Sequence, residues 1–153
     1  MTKSNPIQSS NVPSLERSLP MLLMRARDAA MQRFRPIFTD AGLTEQQWRV
    51  LRALSSEPNL DISSLAKTCH IMKPSLSRII KSLEERKLVE RRANKADQRS
   101  SVLRLALAGE RLLNKVTPEL ERCYQDIQKD VGRENLEALY RLLEATELNL
   151  KRD

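Results

Sequence analysis

The chemistry available to this sequence depends on where its cationic side chains lie. Between Lys67 and Arg104 there are eleven lysines or arginines and four acidic residues, whereas the rest of the 153-residue chain has sixteen of each. The net charge of +7 therefore belongs to this one stretch. A basic stretch in an otherwise neutral chain is typical of a protein that binds nucleic acid.

The residues needed for catalysis are scarce. The sequence has one histidine, His70, and shows no Cys–His–Asp spacing, no glycine-rich phosphate loop and no cluster of metal ligands. A cysteine and a histidine in sequence, as at Cys69 and His70, are more often packing and surface groups than a metal or thiolate site. We therefore predict a protein that is not an enzyme and that uses no cofactor and no metal.

The cysteines and the hydropathy indicate the compartment. Cys69 and Cys123 form no CxxC pair, so both are expected to be free thiols in a reducing cytoplasm. No run approaches the roughly 20 apolar residues that span a bilayer, and the N-terminus has no apolar signal segment. The sequence predicts a cytoplasmic protein without membrane contact.

Thr44-Glu45-Gln46-Gln47 is a capping-box pattern that predicts the start of a helix. Two further short helical patterns overlap the first half of the basic stretch. Asp61 suits the N-cap of one helix, and Pro74 suits the first position of the next. Apolar residues from Leu76 to Leu83 recur at helical spacing and mark the buried side of the second helix. Its other faces carry small hydroxyls and basic groups that can approach a DNA major groove, although a solvated face is the alternative: Ser75, Ser77, Arg78, Lys81 and Ser82.

A strand pattern, a polar turn and a second strand pattern follow directly. The strands are Leu88–Arg92 and Val102–Leu105, and a cationic turn over residues 94–100 joins them. A helix–turn–helix followed by a basic hairpin is a winged helix. At its tip Asp97 can orient Arg99 for a narrow minor groove; the alternative is a surface ion pair worth under about 1 kcal/mol.

Helical stripes flank the winged helix on both sides. One runs from Leu19 to Phe38, and a long one after the wing is expected to bend or restart at Pro118. Since these stripes offer more apolar surface than one winged domain covers, they predict dimerisation. The predicted organisation is a flexible arm (1–14), a helical dimerisation lobe (15–42 and 108–153) and a winged helix–turn–helix domain (43–107), in a mainly α fold with a small β wing.

Three segments resemble the MarR family of bacterial winged-helix repressors. They are LTEQQWRVL at 43–51, the region from Leu65 to Arg91, and DQRS at 97–100, which carries the family's DxR wing motif. The likeness extends over about residues 18–150. Within the family, the run from Ala26 to Ile37 is similar to the branch that represses operons for degrading aromatic acids, such as homoprotocatechuate and hydroxycinnamate.

The resemblance implies a triangular MarR-like homodimer with a ligand cleft between the dimerisation helices and the winged domain. It implies DNA contacts through the second helix and the wing, at Lys73, Pro74, Ser75, Ser77, Arg78, Lys81, Lys95, Asp97 and Arg99. One departure is the start of the helix after the wing, where Leu107-Ala108-Gly109 lacks the family's hydroxyl cap. Its loss is expected to weaken that helix end by about 1 kcal/mol.

A small aromatic acid is the expected effector, and its contacts are predicted from location and chemical type. Arg25 and Arg49 are the candidates for a carboxylate, and Asp28 or Gln32 for a phenol. Trp48 either lines the cavity or is an ordinary core aromatic.

The function that follows is a ligand-responsive repressor that binds a palindromic operator in double-stranded DNA. Two alternatives remain from the residues alone. One is a thiol-based oxidation sensor, which needs an accessible cysteine of low pKa. The other is a non-specific architectural DNA binder, which would show no inverted repeat in its footprint.

Overall fold

The computed structural model describes residues 12–94 and 100–151. Within these residues a short 3₁₀ helix (Leu15–Arg17) precedes six α-helices and two strands, so the predicted mainly α fold with a small β wing is confirmed. Most of the predicted arm lies outside the described residues, as do Lys95, Asp97 and Arg99 at the predicted wing tip. In chain order the elements are α1 (Leu19–Asp40), α2 (Glu45–Ser56), α3 (Ile62–Cys69), α4 (Lys73–Glu85), β1 (Val89–Ala93), β2 (Ser101–Leu105), α5 (Leu107–Val131) and α6 (Arg133–Leu150).

The chain divides into two compact units, Met1–Arg33 and Phe34–Asp153, with the boundary inside α1. In the first unit, the Ser18 hydroxyl donates to the Leu15 carbonyl at 2.8 Å where the 3₁₀ helix ends. Several leucines of α1 in this unit remain exposed. The second unit contains the remaining elements.

Side-chain caps begin α2 and α3 as predicted. The Thr44 hydroxyl accepts from the Gln47 amide at 3.1 Å, and the Gln47 side chain accepts from the Thr44 amide at 3.0 Å. Asp61 accepts from the backbone N–H of Ser64 at 2.9 Å and from its hydroxyl, and these bonds lower the pKa of Asp61 below its ordinary value. At α4 the helix begins one residue earlier than predicted, so Pro74 is its second residue. Either position suits proline, since the first N–H groups have no partner within the helix.

The core of the second unit forms where α2, α3 and α4 meet. Leu76, Ile80 and Leu83 of α4 are fully buried, together with Leu51 of α2 and Leu65 of α3. Burial of each such side chain stabilises the fold by about 1.5–3 kcal/mol. This core fixes which face of α4 points outward.

The two strands form an antiparallel hairpin in which Val89 lies opposite Leu105 and Ala93 opposite Ser101. The Leu103 amide also donates to the Leu60 carbonyl at 2.8 Å, which ties the hairpin to the chain before α3. The hairpin is thus attached to the helical core at its base.

Helix α5 continues through Pro118 without beginning a new segment there. The missing proline N–H removes one hydrogen bond, and Val116 and Cys123 are buried on either side of Pro118 in a helix that packs against α2, β2 and α6. At the start, the N-cap is Ala106, one residue before the Leu107-Ala108-Gly109 run, and its side chain provides no hydrogen bond.

Gly109 allows α5 to pack directly against the chain at the start of the wing. A Cβ at this position would collide with the backbone carbonyl oxygen of Leu88 and press against Leu105. The Leu88 carbonyl also accepts from the Ala106 amide at 3.0 Å, so it cannot move away without losing that bond. A side chain is therefore excluded from position 109.

Replacing this glycine should destabilise the protein. We expect Gly109→Ala to lower the free energy of unfolding by about 2 kcal/mol, because overpacking against backbone forces α5 away from the wing. Urea unfolding followed by circular dichroism measures the change. The control Ala108→Ser adds one atom at the exposed neighbouring position and should change stability by less than about 0.5 kcal/mol. Equal effects of the two substitutions would contradict this account of Gly109.

Candidate nucleic-acid interface and ligand site

The outward face of α4 carries the side chains that the sequence assigned to DNA. All six lie on the exposed side of the helix, opposite Leu76, Ile80 and Leu83: Lys73, Pro74, Ser75, Ser77, Arg78 and Lys81. Serine hydroxyls on this face permit close approach to a surface, and the cations reach beyond them.

The cations of this face are available for a ligand. Among residues 12–94 and 100–151, Lys73, Arg78 and Lys81 make no hydrogen bond and no ion pair. A cation of this kind loses no existing partner when it meets a phosphate or a base edge. The face can therefore bind a polyanion without first breaking interactions within the protein.

Arg91 joins the wing to the end of α4. Its Nε and Nη2 donate to the two carboxylate oxygens of Glu84 at 3.2 and 3.5 Å, and its Nη1 donates to the Ser101 hydroxyl at 3.0 Å. Since Glu84 is in α4, Arg91 in β1 and Ser101 in β2, one guanidinium connects three elements. This arrangement sets the direction of the wing relative to α4.

A second group of charges lies across the hairpin. Glu90 accepts from Arg104, which is its partner on the opposite strand, and from Arg92 at 3.2 Å. The hydrogen bond from Arg104 lowers the pKa of Glu90 below its ordinary value, and Arg92 adds to this effect. These residues line a depression of about 810 Å³ beside α5, but their charges are paired with one another.

Four of the five aromatic residues of the chain form one cluster. Ring centroids are 6.3 Å apart for Phe34–Phe38, 5.0 Å for Phe34–Tyr124 and 5.2 Å for Phe38–Trp48. The fifth aromatic residue, Tyr140, is close enough to affect the Tyr124 hydroxyl. We call Phe34, Phe38, Trp48 and Tyr124 the aromatic cluster. Aromatic pairs at these separations attract one another, and an added ring can join them.

Arg52 places a positive charge near this cluster. Partial burial raises the pKa of Tyr124 above its ordinary value, and the positive charge of Arg52 opposes part of that rise. Arg52 is exposed and, in the part of the chain that the structure describes, makes no hydrogen bond or ion pair. A phenol and a guanidinium beside aromatic rings suit an aromatic carboxylate.

Sequence reasoning selected neither Arg52 nor Tyr124. The signal for Arg52 was present, since it is four residues after Trp48 and thus on the same face of α2. Tyr124 lies in the long apolar stripe after the wing, and its position in that stripe does not predict that its hydroxyl contacts a ligand.

Arg49, which the sequence predicted as a ligand contact, makes two interactions within the protein. Its Nη1 donates to the Cys69 carbonyl at 2.9 Å, and its Nη2 pairs with Glu45 at 2.7 Å. Arg49 thus links α2 to the end of α3. Ligand binding by Arg49 would have to share or replace these bonds.

The other three predicted ligand contacts are in the first compact unit. Arg25, Asp28 and Gln32 line one shallow depression along α1, together with Leu22, Ala26 and Ala29. Asp28 is also 3.7 Å from Arg27. The structure brings these three residues to one face of one helix, while Trp48 and Arg49 are in the second unit.

The burial of the cysteines and the placement of potential metal ligands do not favour oxidation sensing or metal binding in the described residues. Cys69 is fully buried, and burial raises the pKa of its thiol, an effect that the nearby Arg49 only partly offsets. Cys123 is buried as well. A buried thiol of raised pKa disfavours oxidation sensing. Over the described ranges, no three His, Cys, Asp or Glu side chains are grouped to hold a metal ion, and no helix is both long and apolar enough to cross a membrane.

Comparisons with known proteins agree with this geometry. Residues 41–100 match the sequence model of the MarR family. The homoprotocatechuate degradative operon repressor of Escherichia coli is 39% identical over 127 residues, which cover 83% of this chain and 86% of the repressor.

Two solved structures are similar over most of their length. The structure of NadR in complex with 4-hydroxyphenylacetate has a TM-score of 0.76 at 37% identity and covers 88% of this chain and 96% of NadR. The transcriptional repressor CouR, bound to a 23-mer DNA duplex, has a TM-score of 0.80 at 27% identity and covers 87% of this chain and 94% of CouR.

The link between α4 and the wing can be tested by substitution. Arg91→Ala should increase hydrogen exchange of the β1 and β2 amides, because the hairpin loses its side-chain attachment to α4. Since the pair is partly exposed, global stability should fall by no more than about 1 kcal/mol. Exchange is measured by NMR.

Arg92→Ala is the matched control, since Arg92 lies in the same strand and, among the residues that the structure describes, pairs only with Glu90. It should have a smaller effect on the wing amides. The double charge swap Glu84→Arg with Arg91→Glu should restore part of the protection. Equal exchange in the Arg91→Ala and Arg92→Ala variants would show that Arg91 does not hold the wing.

Proposed function

This chain belongs to the MarR family, and from that premise we propose that it is a ligand-responsive transcriptional repressor. It binds a palindromic operator as a homodimer and is released by a small aromatic acid. The observation that carries the proposal is the outward face of α4, where Lys73, Arg78 and Lys81 are exposed and unpaired within the described residues.

On DNA, each protomer places α4 in a major groove. The serines of the outward face lie against the base edges, and the cations contact bases and phosphates. The wing tip, with Lys95, Asp97 and Arg99, enters the flanking minor groove, where Arg99 meets the negative potential of a narrow groove. The binding of the similar repressor CouR to a DNA duplex supports DNA as the partner.

The homodimer is proposed from apolar surface that the single chain leaves exposed. Of the residues of α6 only Leu136 is buried, whereas Leu142, Leu148 and Leu150 are each more than half exposed. In α1, Leu19 and Leu22 are each nearly half exposed. A second copy that covers these helices would bury them in a dimerisation lobe of residues 15–42 and 108–153. Two-fold symmetry then calls for half-sites about one helical turn apart.

The effector is proposed to be an aromatic carboxylate with a phenol group. The aromatic cluster offers a surface for its ring, and Arg52, one helical turn after Trp48 in α2, offers a charge for its carboxylate. The complex of NadR with 4-hydroxyphenylacetate supports this class of ligand. Arg25, Asp28, Gln32, Trp48 and Arg49 remain proposed contacts.

Release follows if the effector binds two conformations with different affinity. A ligand that favours a conformation whose wings no longer fit adjacent grooves lowers operator affinity by its ratio of affinities for the two states. The side-chain Nε2 of Gln47 donates to the Ser82 hydroxyl at 3.3 Å, so α2, which carries Trp48 and Arg52, contacts α4 directly. A movement of α2 on ligand binding would therefore be transmitted to α4.

DNA binding is tested first by selecting duplexes from a random library and footprinting the best of them. We expect protection of an inverted repeat. Arg78→Ala and Arg99→Ala should each weaken binding and reduce the salt dependence by about one released counterion per half-site, with the fold intact. The control Lys129→Ala removes an exposed positive charge from α5 and should leave both quantities unchanged. A footprint spread evenly along DNA would contradict the repressor proposal.

The effector site is tested by a thermal-shift panel of hydroxyphenylacetates, hydroxycinnamates and other phenolic acids, followed by displacement from the selected duplex. Arg52→Gln should weaken binding of a stabilising acid about tenfold, the effect of losing a charge-assisted hydrogen bond. Tyr124→Phe should act more strongly on hydroxylated acids than on their unsubstituted analogues.

The sequence-based assignment is tested in the same assay. Arg25→Ala and Arg49→Ala should also weaken binding if they contact the carboxylate. Unchanged affinity in both variants would remove them from the site. Unchanged affinity in all three arginine variants would place the effector elsewhere.

A further inference from the structure

Met72 is an apolar side chain on a surface that is otherwise polar. It is 78% exposed. Among the described residues between 25 and 106, it is the one large hydrophobic side chain that is exposed. Exposed apolar side chains are common singly on protein surfaces. This one, however, directly precedes Lys73, Pro74 and Ser75, the first residues of the outward face of α4.

Met72 also occupies the N-cap of α4 without capping it. In α2 and α3 the N-cap residues Thr44 and Asp61 accept hydrogen bonds from the helix through their side chains. At α4 the N-cap makes no side-chain hydrogen bond. The position therefore forgoes the polar residue that would stabilise the helix start. Methionine at this position thus adds no capping hydrogen bond to the fold.

The backbone before α4 fixes the direction of this side chain. His70 adopts a left-handed conformation with φ of 50° and ends α3, and the following Ile71 is buried. The Met72 carbonyl accepts from the Leu76 amide at 2.9 Å, which ties its backbone to the first turn of α4. With Ile71 held inside, Met72 is held outside at the leading end of the helix.

We propose that Met72 is a specificity-determining residue that packs against the C5 methyl group of a thymine in each operator half-site. The inference rests on the proposed function, because it concerns the DNA that the repressor binds. The N-terminal residues of a recognition helix are the ones that reach base edges in the major groove. The thymine methyl is the apolar group displayed there, and a flexible thioether side chain adapts to it.

The test replaces thymine by deoxyuridine, which removes only the methyl group. The probe is the duplex selected by the full-length protein, with each thymine of the half-site replaced in turn, symmetrically in both halves. We expect one position at which the replacement weakens binding by about fourfold for each methyl group lost. Met72→Gln, which keeps the length of the side chain, should remove this difference and bind the two duplexes equally.

Two further variants make the result specific. Met72→Leu, which remains apolar, should retain a preference for thymine. Leu107→Gln changes another exposed apolar side chain, at the start of α5, and should show the same ratio of affinities as the unsubstituted protein.

Three results would overturn the inference. In the first, no deoxyuridine duplex binds more weakly than its parent. In the second, Met72→Gln loses the same factor on both duplexes. In the third, Met72→Gln changes the oligomeric state without DNA, which would show that Met72 covers a second chain. Failure to select any duplex would instead overturn the proposed function itself, and this inference with it.

Discussion

Burial of Leu76, Ile80 and Leu83 is the interaction on which the candidate DNA surface depends, because it sets the rotation of α4 about its own axis. A rotation by one residue turns the helix by about 100° and would bring leucine or isoleucine into water. Each exposed side chain would cost about 1.5–3 kcal/mol. The serines and cations between these positions therefore lie on the outward face. Packing of the core thus determines which side chains α4 presents to DNA.

The rotation of α4 alone does not position both α4 and the wing, and polar links at the C-terminal end of α4 supply the rest. Gln47 contacts Ser82, Arg86 donates to the Gly42 carbonyl at 2.9 Å, and Glu84 is bound by Arg91. Each of these is worth about 1 kcal/mol or less. These interactions contribute more to the orientation of α4 than to stability, since they connect the helix to the turn before α2 and to the wing.

The features that the sequence predicted are those whose causes are local. The caps at Thr44 and Asp61 need only residues three positions away, and the outward face of α4 follows from one helical period. The features it missed involve partners distant in the chain. Gly109 is required by a carbonyl twenty-one positions earlier, and the ring of Tyr124 meets that of Phe34, which is ninety positions earlier. A spacing pattern within one helix or strand cannot predict such a contact between distant elements.

The aromatic cluster also determines how the protein can be observed. Its member Trp48 is the one tryptophan of the chain, and its ring lies 5.2 Å from that of Phe38. Intrinsic fluorescence excited at the red edge of the indole band therefore comes from a single place, the side of α2 that faces the cluster. The emission of the unlabelled protein is thus a local probe of this packing, and a change there can be followed without attaching any dye.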